Sequence, residues 1–180
     1  MFPHLLNAQT TPIPCTEAMV GAGGGSSTSP TGVVASSTHA SYALADLINE
    51  DGLTGINHGN AFNTMWMCTA IDAAPTLTFD LGASHTVYGA NIWQYNYNAA
   101  GTTLNRGAQC ITISYSTDDI AYTLIGSALL TEADGSAAIA AQTKNFPSSV
   151  TARYILFELI SNLGNPDGYT GLSEVKFSYD

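Results

Sequence analysis

The chain has 180 residues, 45% of them hydrophobic and only 10% charged, with a formal net charge of -10. That length suits one domain with a sizeable core. The acidic balance repels phosphate backbones and anionic lipids, which excludes nucleic acid as a partner and leaves a divalent cation welcome, and no run of about 18 apolar residues is present to insert into a membrane.

Residues 1–32 stand apart. Pro3, Pro12, Pro14 and Pro30, with the run GAGGGSSTSPTG, predict an extended arm and a Gly/Ser linker. The glycines are not followed by Lys-Ser/Thr, so they do not form a phosphate loop. Phe2, Leu5, Leu6, Ile13, Met19 and Val20 exceed what a solvated tail needs, and the arm is expected to dock on other protein subunits. The first residues lack the basic and continuous apolar regions of a signal peptide.

Residues 33–180 form the predicted domain. SYALADLI (41–48) has Ala43, Leu44, Leu47 and Ile48 on one face and predicts the one helix. It runs into DLINEDG (46–52), four oxygen-bearing side chains in a chain poor in charge; on local evidence such a cluster is a turn. Alternating runs follow: Leu77, Phe79 and Leu81; TVYGANIWQY (86–95); Ile111, Ile113 and Tyr115, closed by Asp118-Asp119; Ile155, Phe157 and Leu159; Val175, Phe177 and Tyr179. Strands of this length between turn signals imply an all-β antiparallel sandwich. Trp66 and Trp93 are assigned to the core, and Arg153 to a structural contact with an internal acceptor. Cys15, Cys68 and Cys110 lack metal-ligand spacing; they are read as buried free thiols, with a Cys68–Cys110 bridge as the alternative.

The order of these segments, ASSTHASYALADLINEDGL, TMW, LTFDLG, TVYGANIW, RG…ITISYSTDD, ARYILFEL and GLSEVKF, resembles a discoidin domain, also called the factor V/VIII C-type domain, a family that includes many family 32 carbohydrate-binding modules. The resemblance spans about residues 33–180. It implies a jelly-roll β-sandwich of the galactose-binding-like kind, with ligand loops at one end; the N-terminal arm read from composition is appended to it.

The resemblance also implies a structural Ca2+. The positions that match the family's pattern are Asp46 (by its carbonyl), Asn49 and Asp51 in the opening loop, Thr64 two residues before Trp66, and Ser173 (by its carbonyl) with Glu174 in the last strand. Hard cations take six to eight such oxygens. Asn49 stands where the family usually has Asp, and Glu50 is the alternative ligand.

A sugar site needs an aromatic plate and planar polar groups. WQYNYNAAGTTLNRG supplies Tyr95, Asn96, Tyr97, Asn98, Asn105 and Arg106, with Asn165, Asp167 and Tyr169 from NLGNPDGYTG and His58 from GINHGNAFN. The expected ligand-binding set is His58, Tyr95, Asn96, Tyr97, Arg106, Asn165 and Tyr169. Arg106 serves equally well as a salt-bridge partner, and His58 as a cap of its own loop. No G-x-S-x-G or H-E-x-x-H motif is present and the four histidines share no ligand spacing. The chain is therefore expected to be a non-catalytic carbohydrate-binding module for a cell-surface glycan, extracellular or in a phage virion as a tail, fibre or decoration protein within a larger oligomeric assembly. The alternatives are a purely structural scaffold and a secreted bacterial binding module.

Overall fold

A computed structural model describes residues 15–180. Its strands are β1 (Ser26–Thr28), β2 (Gly32–Ala35), β3 (Leu53–Thr54), β4 (Asn57–His58), β5 (Trp66–Met67), β6 (Thr76–Gln94), β7 (Ala108–Ser116), β8 (Thr123–Leu129), β9 (Ile139–Ala140), β10 (Gln142–Asn162) and β11 (Gly171–Tyr179). All named strand pairs are antiparallel.

The architecture follows from two long strands that bend. The first half of β6 pairs with the second half of β10, Thr76–Asp80 against Tyr154–Glu158, and the second half of β6 pairs with the first half of β10. Register shifts at Asn145/Val150 and Ala152/Tyr154 mark the bend. One layer therefore runs β2, β6, β10, β7, β8, and the other runs β1, β11, β6, β10. The alternating apolar residues of both layers meet between them. Phe79 of the first layer packs on Phe177 of the second at 5.2 Å between centroids, and Phe157 on Phe177 at 5.8 Å. The jelly-roll sandwich expected from the sequence is present.

The predicted helix is not. Only Leu44–Leu47 winds, as a single 3-10 turn that ends at Ile48. Eight residues are too few to sustain a helix without tertiary support, and burial of both Asp46 and Leu47 fixes the tighter turn.

Residues 15–32 also depart from the expected linker: they are part of the domain. Cys15 is bonded to Cys110, so neither the Cys68–Cys110 bridge nor three free thiols is found; Cys68 is the buried free cysteine. The Ala18 N–H donates to the Ser127 carbonyl, Met19 is buried in the core, and β1 pairs with β11. Gly25, at φ +66, lies so close to Tyr179 that a Cβ would sit 2.7 Å from its backbone nitrogen, so this glycine serves close packing. Met19 is buried in the chain's own core, whereas Val20 and the β1 side chains are exposed. Phe2, Leu5, Leu6 and Ile13 lie outside the described residues.

Candidate functional site

Where β6 ends, its chain leaves the second layer as Tyr95-Asn96-Tyr97 and enters the loop that returns through Arg106 to β7. Side chains from four loops form a continuous row there. Tyr97 meets Phe62 at 5.0 Å, Phe62 meets Tyr42 at 4.7 Å, Tyr42 meets His39 at 5.6 Å, and His39 meets Tyr169 at 5.5 Å. The Arg106 guanidinium closes the row 4.9 Å from the Tyr169 ring centroid. Its Nη2 lies 3.7 Å from the exposed Asp167 carboxylate, and its buried Nε has no partner. This is an aromatic row ending in a partly exposed cation, suited to a ring that has one apolar face and polar edges.

Of the expected ligand-binding residues, the structure brings Tyr97, Arg106 and Tyr169 together on this surface. Tyr95 lies beneath it, fully buried, with its hydroxyl 2.7 Å from that of Tyr42; burial pushes both phenols upward in pKa. Asn96 has no exposed surface: its amide donates to the Gly59 and Ser136 carbonyls and accepts the Gly135 N–H. All of its capacity is used internally, so it is not a ligand contact. His58 is likewise fully buried, its ring nitrogens 2.9 and 3.1 Å from the Gly59 and Asp51 carbonyls, which leaves no face for a sugar hydroxyl. Asn165 shapes its own loop by accepting the Asp167 N–H and donating to Asn105. His39, Tyr42 and Phe62 were missed. An exposed Phe62 within the polar run NAFN was the available signal, whereas Tyr42 was hidden in a segment read as helix.

The residues expected to hold a cation lie at the other side of the same loops. A register shift between Leu172 and Glu174 breaks the alternation of β11, so that residues 171–175 are all buried. Ser173, the residue skipped by that shift, donates its hydroxyl to the Gln94 carbonyl. Glu174 is fully buried; its Oε2 accepts the Glu50 N–H at 3.2 Å and its Oε1 has no partner. Burial, with the Glu50 and Asp46 charges, pushes its carboxyl up to about 8. The Asp46 carboxyl is also raised, first by burial and then by Asp51, while Asn49 donates to it at 3.2 Å. Asn49 also accepts the Asp51 N–H. Gly52, at φ +91, brings Thr64 to this loop: a Cβ there would lie 2.9 Å from the Thr64 Cβ and 2.7 Å from His58 Cε1.

The Glu50 carboxylate points away, to Lys176 at 2.9 Å and Ser29 at 3.0 Å, which removes it as the alternative ligand. Among the described residues no group of three or more His, Cys, Asp or Glu is placed to hold a metal. Two buried acids, one with an orphaned oxygen, surrounded by amide and carbonyl oxygens nevertheless fit a hard cation better than a neutral environment. Among the described residues there is also no helix long and apolar enough to cross a membrane.

The F5/8 type C domain model matches residues 32–175. Among solved structures, the family 32 carbohydrate-binding module of C. perfringens NanJ in complex with galactose is 20% identical, with a TM-score of 0.60 over 83% of this chain and 93% of that one. The module CpGH89CBM32-5 from Clostridium perfringens, in complex with GalNAc-beta-1,3-galactose, is 18% identical at a TM-score of 0.57, over 82% and 94%. The module of AlyQ in complex with 4,5-unsaturated mannuronic acid is 21% identical at 0.55, over 84% and 97%. A search of curated proteins finds no match. These structures share the fold, and the family model covers most of the chain: it belongs to the F5/8 type C domain family.

Proposed function

We propose that this chain is a non-catalytic carbohydrate-binding module that recognises a cell-surface glycan at the aromatic row. The observation that carries this is Arg106, held over Tyr169 and beside the exposed Asp167 at the end of the row Tyr97, Phe62, Tyr42, His39. An aromatic face takes the C–H side of a pyranose while the guanidinium and the nearby Asp167 take ring hydroxyls. The complexes of similar fold with galactose, the disaccharide GalNAc-beta-1,3-galactose and 4,5-unsaturated mannuronic acid support a saccharide as the ligand class. The Cys15–Cys110 disulfide supports an extracellular setting. Calorimetric titration with galactose and with N-acetylgalactosamine tests the reading: saturable binding that Arg106→Ala weakens supports it, and the absence of binding to both sugars counts against it.

We further propose that Glu174, Asp46, Asn49 and Asp51, with Thr64 and the Ser173 carbonyl, hold a structural Ca2+. When bound, the ion supplies the positive charge that two buried acids lack. Its role is to fix the loops, not to touch the sugar.

A further inference from the structure

The two corners are joined by buried polar contacts. His58 lies between the Asp51 carbonyl and the Gly59 carbonyl, at 3.1 and 2.9 Å; its neutral ring carries one N–H, so it donates to one of them and packs against the other, and it sits so tightly on Gly52 that no Cβ fits there. The Gly59 N–H closes back on the Gly52 carbonyl at 2.8 Å. The same Gly59 carbonyl accepts the Asn96 amide at 3.0 Å, and Asn96 reaches on to Ser136 and Gly135. Asn60 donates to the Gly135 carbonyl at 2.8 Å, which closes the network. Asn96 is flanked in sequence by Tyr95 and Tyr97 and is fully buried. A buried amide with all its partners made resists displacement, because each broken bond leaves an unsatisfied group.

We propose that His58 and Asn96 are a positioning strut that ties the order of the loop carrying Tyr97 to occupancy of the cation corner, so that cation and glycan binding are linked. The link to recognition rests on the glycan reading above; the strut itself does not. An ion that fixes residues 46–52 fixes the Asp51 carbonyl, and through His58 and Gly59 it restrains the Asn96 amide. Linkage is reciprocal: a ligand that orders the Tyr97 loop tightens the cation corner by the same factor.

Amide hydrogen exchange of the full chain in Ca2+ or in EDTA is the test. Ca2+ is expected to slow exchange at residues 49–53, and also at 95–98 and 135–136, by about five-fold or more. In Asn96→Ala the slowing at 49–53 persists and that at 95–98 is lost; His58→Gln gives the same separation should the first variant fold poorly. Slowing confined to 49–53 in the wild type, no effect of Ca2+ anywhere, or linkage that survives both variants overturns the proposal. Galactose affinity is then measured in the same two buffers. A wild-type gain in Ca2+ that Asn96→Ala abolishes extends the strut to recognition. Linked exchange without galactose binding refutes the galactose reading and leaves the strut standing.

Discussion

Arg106 and Tyr169 stack at 4.9 Å between guanidinium and ring centroid, although they belong to different loops on either side of β7 and β10. The pair brings one of the chain's four basic residues to the end of an aromatic row. A partly buried contact of this kind contributes about 1–2 kcal/mol to folding. Arg106→Ala is therefore expected to lower the melting temperature by a few degrees and to weaken sugar binding about ten-fold or more. Arg106→Lys is expected to rescue little, because a point charge lacks the planar fork. Thermal melting beside calorimetric titration separates the two effects.

Phe62 and Tyr95 make a second contrast. Phe62 is 38% exposed and bridges Tyr42 and Tyr97. Phe62→Ala is expected to reduce sugar affinity with a small stability cost. Tyr95→Phe removes the buried partner of the Tyr42 hydroxyl and is expected to destabilise the fold by about 1–3 kcal/mol. Chemical denaturation of both variants checks the ranking.

The Glu174 carboxyl rises from 4.5 to about 8 through burial. Below pH 4.5 it is protonated in folded and unfolded chains alike. Above that, the unfolded chain releases a proton that the cation-free folded chain retains, so stability falls as pH climbs through about 8. A bound cation favours the ionised form and reverses the penalty. The rise in melting temperature on replacing EDTA by Ca2+ is thus expected to be small near pH 5 and to grow toward pH 8. Glu174→Gln is expected to remove both the growth and most of the rise. Melting curves at the two pH values, with and without Ca2+, measure it.

Cys15 and Cys110 close a loop with a sequence separation of 95. Chain entropy assigns such a bridge about 4 kcal/mol, or roughly 10 °C in melting temperature for a chain of this size. Cys15→Ser or reduction by dithiothreitol is expected to lower the melting temperature by that order. Limited proteolysis is expected to detect the release of residues 15–25, because Met19 then has no covalent tether to hold it in the core.

The sandwich was legible because burial on one face imposes a period of two: Leu77, Phe79, Leu81 and Ile155, Phe157, Leu159 alternate as their positions demand. The bend that divides β6 and β10 between two layers was not legible, since it arises from register shifts rather than composition. Tyr97, Arg106 and Tyr169 were legible as a group because a sugar site calls for aromatic and planar polar side chains in loops, and the fold places the three on one surface. His58 and Asn96 were misplaced because polarity reads as exposure in a sequence. Only the fold shows that every hydrogen bond of Asn96 is made indoors. The Cys15–Cys110 pairing was hidden by chain distance, and Gly25 read as linker because close packing on Tyr179 leaves no local signature.

The central claim is that the row ending at Arg106 binds a glycan. The most direct measurement is a glycan array probed in Ca2+ with the wild type and Arg106→Ala in parallel. Selective signal from the wild type that falls to background in the variant is the expected result. A wild type that binds no glycan, or a variant that binds the same glycans equally, would contradict it.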